Sequence, residues 1–138
     1  MGIKVSHSFI TVDDQEKALT FYRDALGLEV RADAPLGPFR WLTVGAPGQP
    51  GVESVLATPD MGHAPDDTEA LKALLAKGAL QAVIFTTDDF DATFERVRAT
   101  GAEVLQEPID QPYGVRDCAF RDPSGNHVRI GSPIQPPA

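Results

Sequence analysis

A chain of 138 residues, 42% hydrophobic and 23% charged, has the composition of one compact globular domain and is too short for two ordinary ones. Its net charge of −8 argues against a nucleic-acid partner, because phosphate binding requires a basic surface. The sequence shows no apolar run of membrane-spanning length and no signal peptide, and a single cysteine, Cys118, excludes a disulfide framework. We therefore expect a cytoplasmic protein with neither a nucleic-acid nor a membrane partner.

The first half of the chain is predicted to form a strand, a helix and three further strands. Residues 4–12 alternate in polarity and are rich in β-formers. Asp13 and Asp14 then offer helix caps, and Gly27 ends a helix with one apolar face. The three strands that follow are separated by turns rich in proline and glycine, and they are predicted at residues 28–32, 40–44 and 52–58.

The second half repeats this order after a connector at residues 59–78, which is predicted to be a loop and a helix that ends at Gly78. A strand at 80–87 precedes a helix that is capped by Asp88 or Asp89 and ends at Gly101. The remaining strands are predicted at 102–106, 115–120 and 127–130, and the proline-containing tail at 132–138 is expected to fray.

Matching residues support an internal repeat. Thr11-Val12-Asp13-Asp14 matches Thr86-Thr87-Asp88-Asp89 at an offset of 75, whereas Gly27-Leu28-Glu29-Val30 matches Gly101-Ala102-Glu103-Val104 at an offset of 74. The second helix is therefore one residue shorter than the first. The alternative is that strand, cap, helix and glycine simply follow one another, as in many α+β proteins.

The repeat predicts a single α+β domain over residues 1–138, built from two βαβββ modules. Module 1 spans about residues 3–58, the connector spans 59–78, and module 2 spans about 79–131. A half of about 60 residues is marginal as a separate core, so the halves are expected to pack together. The sheet faces that the helices do not cover then leave a cleft for a small molecule.

The residues along this pattern resemble the vicinal oxygen chelate superfamily, which includes glyoxalase I, bleomycin resistance proteins, fosfomycin-modifying enzymes and extradiol dioxygenases. The resemblance begins with His7, Val12-Asp13-Asp14, Phe21-Tyr22-Arg23-Asp24 and Leu26-Gly27-Leu28, and it ends with Phe120-Arg121-Asp122-Pro123-Ser124-Gly125-Asn126. It implies the glyoxalase/bleomycin resistance/dioxygenase fold, with curved mixed sheets around a cavity, and a homodimer.

In metal-using members of this superfamily, four strands each supply one histidine or carboxylate to a divalent ion. The resemblance places the first of these positions at His7. The second lies within residues 52–58, where Glu53 is the one carboxylate, although the register also allows Leu56 or Ala57. The alternative is that Glu53 is an ordinary solvated residue of the strand, without a functional role.

The other two positions lack a metal ligand. The third falls at Ala82, or at the poor ligand Gln81 if the register slips by one, and the fourth falls at Arg129, which stays protonated. We therefore predict no metal cofactor. The alternative is a divalent zinc, nickel, iron or manganese ion, for which His7, Glu53 and His127 are the remaining candidate ligands.

A cleft with a cationic end and aromatic walls suits a small anionic or aromatic molecule. Phe39 and Trp41 could instead pack in the core. Arg129 could instead form a surface ion pair. Cys118 is expected to be a buried small hydrophobe, and His63, in the connector, is either solvated or lies over a cavity mouth. The predicted ligand-binding residues are His7, Phe39, Trp41, Tyr113, Arg116, His127 and Arg129.

Three functions stay open. The favoured one is a metal-free small-molecule-binding protein of the bleomycin resistance type, because Ala82 and Arg129 replace metal ligands. The second is a metal-dependent enzyme: a glyoxalase I-like lyase, an extradiol dioxygenase or an epimerase, with His7 as candidate catalytic residue. The third is a metal-free enzyme that uses His7 or His127 as general base and Arg129 to hold an enolate.

Overall fold

The computed structural model of the protein describes residues 2–134, which form eight strands and three helices. The first helix begins as an α-helix over Gln15–Leu19 and continues without a break as a π-helix over Thr20–Ala25. None of the helices within residues 2–134 combines the length and apolar character needed to span a membrane. In chain order the elements are β1 (His7–Thr11), α1 (Gln15–Leu19, then Thr20–Ala25), β2 (Glu29–Leu36), β3 (Phe39–Gly45), β4 (Glu53–Ala57), α2 (Pro65–Ala76), β5 (Ala82–Thr86), α3 (Phe90–Arg98), β6 (Val104–Asp110), β7 (Val115–Arg121) and β8 (His127–Pro133).

Each half of the chain forms its own four-stranded mixed sheet. The strand order is β1-β4-β3-β2 in the first sheet and β5-β8-β7-β6 in the second. In both sheets the first and last strands of the half pair in parallel, and the other neighbours are antiparallel. This arrangement confirms the predicted fold of two βαβββ units, and the two sheets do not close on each other.

One hydrophobic core joins the halves. It contains side chains from α1 and α3 together with residues from both sheets, and Tyr22 and Phe120 are its largest fully buried members. The rings of Tyr22 and Phe85 lie 6.3 Å apart across the boundary between the halves. Arg96 on α3 also donates a 2.8 Å hydrogen bond to the carbonyl of Ala25 at the end of α1. Because the core is shared, each half buries apolar surface that it would expose alone.

The π-helical part of α1 accounts for the change of offset between the repeats. The amide of Leu26 donates to the carbonyl of Phe21 at 2.9 Å, a spacing of five residues instead of four. The equivalent helix α3 is α-helical throughout and is followed by Gly101, as α1 is followed by Gly27. The extra residue of the first half is therefore accommodated as a wider turn.

The last hairpin turn links the second half to the first through hydrogen bonds. One carboxylate oxygen of Asp122 accepts hydrogen bonds from the three backbone amides of residues 124–126 at 2.8–2.9 Å. Its other oxygen accepts from the Tyr22 hydroxyl at 2.6 Å, and the Asn126 side chain donates to the Thr11 carbonyl at 2.8 Å. These bonds satisfy most of the buried polar groups of the turn, and Asn126 Oδ1 has no partner among the described residues.

Several predicted boundaries differ from the structure. β1 begins at His7 instead of residue 4, and β6 continues to Asp110 instead of ending at residue 106. β2 continues to Leu36 because the turn to β3 takes only Gly37 and Pro38, with Gly37 at a φ of +60°. β8 runs through Pro133, which lies opposite Val115, so the first residues of the expected frayed tail are part of the sheet. Residues 135–138 of that tail lie outside the described residues.

Candidate functional site

With the exception of Arg116, the candidate residues lie on the sheet faces that turn away from the shared core. Strand alternation places Ile10 in that core and His7 and Phe9 on the opposite face of the first sheet. In the second sheet, Val128 and Ile130 belong to the core. The side chains of His127 and Arg129, which alternate with them, therefore point to the other face.

On the first sheet these residues form the His7 cluster, which consists of His7, Phe9, Trp41, Thr43 and Glu53. The imidazole Nε2 of His7 lies 3.6 Å from a carboxylate oxygen of Glu53, which also accepts a 2.7 Å hydrogen bond from Thr43. The Trp41 ring centroid lies 6.2 Å from that of His7 and 6.4 Å from that of Phe9. The cluster thus combines an aromatic surface with one imidazole–carboxylate pair.

On the second sheet, the Arg129 cluster surrounds a buried carboxylate. The Asp117 side chain is only 3% exposed, and its oxygens accept from Arg129 at 3.0 Å and from Gln106 and Gln111 at 2.8 and 2.9 Å. The Tyr113 hydroxyl contributes a longer bond of 3.3 Å. The cluster consists of Gln106, Gln111, Tyr113, Asp117, His127 and Arg129.

Asp117 is ionised in this setting. Burial works against its charge, but hydrogen bonds from Gln111, Gln106 and Arg129, with the charge of Arg129, outweigh burial and hold the pKa of the carboxyl below its usual value. The positive charge of Arg129 is therefore balanced by a fixed negative charge in direct contact with it.

His127 is a neutral imidazole beside that pair. Burial, followed by the charges of Arg129 and Arg121, lowers the pKa of His127. The guanidinium of Arg129 approaches the Nε2 atom of His127 at 3.5 Å, and because a guanidinium only donates, that nitrogen faces it as an acceptor. The lone pair of Nε2 therefore points toward Arg129.

Strand register identifies the four metal-ligand positions that the resemblance implies. His7 lies opposite Glu53 and Phe9 opposite Val55, whereas Ala82 lies opposite His127 and Ile84 opposite Arg129. Since Phe9 and Ile84 correspond at the offset of 75, Val55 is the counterpart of Arg129. From the sequence, Glu53, Leu56 and Ala57 were considered for this second position, and the register points to Val55 instead.

The four symmetric positions therefore hold His7, Val55, Ala82 and Arg129. One imidazole, two apolar side chains and a guanidinium do not fit a divalent ion, which requires neutral or anionic donors. Within residues 2–134 there is no group of three or more histidine, cysteine, aspartate or glutamate side chains placed to hold a metal.

The other residues singled out in the sequence are placed as follows. Arg116 points to the helix side of β7 and forms ion pairs with Asp110 at 2.7 Å and Asp91 at 3.9 Å. Phe39 begins β3, two residues before Trp41. Cys118 is buried in the core as predicted, and this burial raises the pKa of its thiol to about 11.

Sequence reasoning missed Asp117, which balances the charge of Arg129, and Gln106, which donates a hydrogen bond to Asp117. The available signal was a single carboxylate within the otherwise apolar run Val115–Phe120, at an alternation position that faces away from Cys118 and Phe120. A buried acid of this kind needs a cationic partner, and Arg129 lies on the neighbouring strand.

The two clusters are separate within one chain. Among the described residues, no hydrogen bond or ion pair joins a member of the His7 cluster to a member of the Arg129 cluster. Each cluster occupies the exposed face of its own sheet.

Known proteins resemble the chain over nearly its whole length. The family profile of the Glyoxalase/Bleomycin resistance protein/Dioxygenase superfamily matches residues 4–130. The solved structure of UcmS2 is 37% identical, with a TM-score of 0.85 over 95% of this chain and 98% of that one. TnmS3, an antibiotic binding protein from Streptomyces sp. CB03234, is 32% identical, with a TM-score of 0.76 over 96% and 98%. A probable lactoylglutathione lyase from Synechocystis sp. (strain ATCC 27184 / PCC 6803 / Kazusa) is 30% identical over 90% of this chain and 91% of its own.

Proposed function

The chain belongs to the glyoxalase/bleomycin resistance protein/dioxygenase superfamily, and we propose that it is a member that binds a small aromatic compound without a metal. The observation that carries the proposal is the ion pair between Arg129 and Asp117 at 3.0 Å. Arg129 occupies the position that the resemblance assigns to the fourth metal ligand. A guanidinium held there by a buried carboxylate excludes a cation from the same place. The likeness to TnmS3, which binds an antibiotic, supports the binding role.

An uncharged aromatic ligand suits these faces better than an anionic one. Trp41 and Phe9 offer ring surfaces, and Ile84 adds an apolar side chain that is 75% exposed. The charge of Arg129 is already balanced by Asp117, and Glu53 adds a carboxylate to the other cluster. An anion would meet these carboxylates on a chain whose net charge is −8.

A second copy of the chain completes the site in this proposal. Both clusters lie on exposed faces, where Phe9 is 56% and Ile84 is 75% exposed, and exposed apolar surface of this kind marks an interaction site. A homodimer that covers both faces can bring the His7 cluster of one copy against the Arg129 cluster of the other. A closed pocket then forms from two half-sites.

Elemental analysis and one NMR titration test the proposal together. The untagged protein is expected to contain less than about a tenth of an equivalent of zinc, nickel, iron or manganese. Trp41 is the one tryptophan, so its indole N–H is a unique signal in the nitrogen–proton spectrum. We expect 2-naphthol to shift this signal more strongly than 2-naphthoate does. A stoichiometric metal, or a response to the carboxylate alone, would contradict the proposal.

A metal-dependent lyase is the second candidate function. His7 and Glu53 form one imidazole–carboxylate pair at 3.6 Å, and a relative at 30% identity is named a probable lactoylglutathione lyase. The donor set described above does not fit this function, and the same holds for an extradiol dioxygenase or an epimerase that needs the complete site. Lactoylglutathione turnover with added nickel or zinc is expected to stay at background; turnover that His7→Ala abolishes would favour the lyase.

A further inference from the structure

A separate cavity of about 560 Å³ lies between the connector and the first sheet. Its volume falls in the range of small-molecule pockets. The walls come from β1, the turn after β4, α2 and the segment before β5, so residues distant in sequence meet there. Its lining includes Phe9, Met61, His63, Leu71, Leu80 and Gln81.

Gln81 fixes one wall of this cavity. Its side-chain amide nitrogen donates to the Phe9 carbonyl at 3.2 Å, and its side-chain oxygen accepts from the Thr11 amide at 2.8 Å. The side chain thus bonds to the free edge of β1 as a neighbouring strand would. Both ends of the amide are committed to the backbone, so Gln81 shapes the wall and offers a ligand little hydrogen bonding.

The turn that carries the opposite wall is also held in place. The amide of Met61 donates to the Thr58 carbonyl at 3.0 Å, and the Thr58 hydroxyl donates to Asp60 at 2.7 Å. Gly62 adopts a φ of +78°, which permits the sharp reversal between Met61 and His63. A preformed wall lowers the entropic cost of binding.

His63 places an uncommitted polar atom at this cavity. Its Nδ1 atom lies 2.9 Å from the carbonyl oxygen of Pro59, and because a carbonyl only accepts, Nδ1 carries the proton. In the neutral ring the Nε2 atom is then an acceptor. Among the described residues, Nε2 has no hydrogen-bond partner.

We propose that this cavity is a subsite for the same ligand, which takes an apolar ring of about naphthalene size bearing a hydroxyl or N–H group that donates to Nε2 of His63. The inference rests on the proposed function, because Phe9 belongs both to the cavity wall and to the His7 cluster. Met61, Leu71 and Leu80 contact the ring, and Nε2 of His63 accepts a hydrogen bond from its hydroxyl or N–H group. The subsite selects molecules that are apolar except for one donor at this end.

The test is a nitrogen–proton NMR titration of the full chain with 2-naphthol and with 2-methoxynaphthalene, which lacks the donor. We expect 2-naphthol to shift the backbone amides of residues 57–63 and 80–81 and to bind about three- to tenfold more tightly than the ether, as one hydrogen bond would give. His63→Phe should remove this preference and His63→Gln, which keeps an acceptor, should restore part of it.

A matched pair of variants on α2 tests the location. Leu71 lines the cavity, whereas Leu74 is exposed on the same helix and does not. Leu71→Trp should fill the space and weaken 2-naphthol binding about tenfold, while Leu74→Trp should leave the affinity within about twofold. Equal effects of the two variants would overturn the subsite.

The two readouts separate this subsite from the proposed function. If 2-naphthol shifts the Trp41 indole but none of residues 57–63 and 80–81, the subsite is wrong and the binding function stands. If the connector amides shift with the preference set by His63 while the Trp41 indole stays still, the subsite stands and the proposed site at the His7 cluster is wrong. No response in either region overturns the subsite as well.

Discussion

The Tyr22 hydroxyl donates a 2.6 Å hydrogen bond to the Asp122 carboxylate, which joins the first helix to the last hairpin turn across 100 residues of sequence. Both side chains are buried, and Asp122 also organises the turn through three backbone amides. This contact gives a second role to the motif Asp122–Asn126. The motif shapes the final turn and also fixes how the two halves of the core meet.

Tyr22→Phe should lower the free energy of unfolding by about 1.5–3 kcal/mol, because it removes a hydrogen bond to a charged group and leaves that oxygen of Asp122 with the Asn126 side chain as its one remaining donor among the described residues. Urea denaturation at neutral pH measures the change. Tyr113→Phe is the matched control, since that hydroxyl is on an exposed ring and its bond to Asp117 is 3.3 Å long. A loss for Tyr22→Phe no larger than for the control would contradict the structural role.

The Tyr22 contact also predicts sensitivity to high pH. Burial, followed by the negative charge of Asp122, raises the pKa of Tyr22 above its ordinary value of 10.0. The unfolded chain loses this proton near pH 10 while the folded chain keeps it, so stability is full below that pH and falls above it by about 1.4 kcal/mol per pH unit. Denaturation curves at pH 9, 10 and 11 should show a smaller decline for Tyr22→Phe than for the wild type; parallel declines would refute this linkage.

Asp117→Asn should change the preference between charged and uncharged ligands. The substitution removes the negative charge that balances Arg129, so the affinity for 2-naphthoate should rise about tenfold relative to that for 2-naphthol. The ratio is measured by the NMR titration described above. Asp110→Asn serves as the control, because that exposed acid pairs with Arg116 on the other side of the sheet. An unchanged ratio in Asp117→Asn would remove Arg129 from the binding face.

Gly125→Ala should be among the most destabilising single changes outside the apolar core. Gly125 has a φ of +122°, and an added methyl group would overlap the carbonyl oxygen of Leu75 at the end of α2. We expect a loss of about 3 kcal/mol or more. Gly101→Ala, at a φ of +87° with open space around it, should cost only about 1–2 kcal/mol. Similar losses for both variants, by calorimetry or denaturation, would show that the contact with α2 is unimportant.

The homodimer is tested by light scattering after size exclusion. Ile84→Glu puts a charge on the exposed apolar face of β5 and should shift the protein from dimer to monomer. Leu74→Glu, on the exposed side of α2, should not change the mass. A wild-type protein that remains monomeric at about 100 μM would contradict the dimer.

The strand and helix pattern was accessible from the sequence because it depends on local periodicity and turn residues. Even the change of offset from 75 to 74 between the repeats has a structural counterpart in the π-helix of α1. The sequence showed that one helix holds an extra residue, but not whether a loop or a wider turn would accommodate it. That outcome depends on the packing of Tyr22 against Phe85 and Asp122 from the other half.

The candidate site was less accessible, because its decisive contacts join residues far apart in sequence. Arg129 was identified as a replaced metal ligand, yet its neutralisation by Asp117 depends on the pairing of β7 with β8. Gln81 was considered only as a poor ligand, and the structure commits it to the edge of β1. Such pairings leave no local pattern, since either partner alone resembles an ordinary polar residue in a strand.

The parallel pairing of β1 with β4 and of β5 with β8 also sets an order of folding. In each half the first strand gains its partner only when the last strand arrives, about 46 residues later in the case of Ser8 and Ser54. The hairpin of β2 and β3 needs only a short turn, but a long loop must close before β1 or β5 gains its partner. This non-local pairing slows folding relative to domains built of hairpins alone. During synthesis, β1 and β5 each stay unpaired until β4 and β8 have been made, and the Tyr22 hydroxyl gains its partner only when the final turn has formed. A ribosome-bound chain that lacks β8 is therefore expected to expose the apolar core residues of both halves to chaperones.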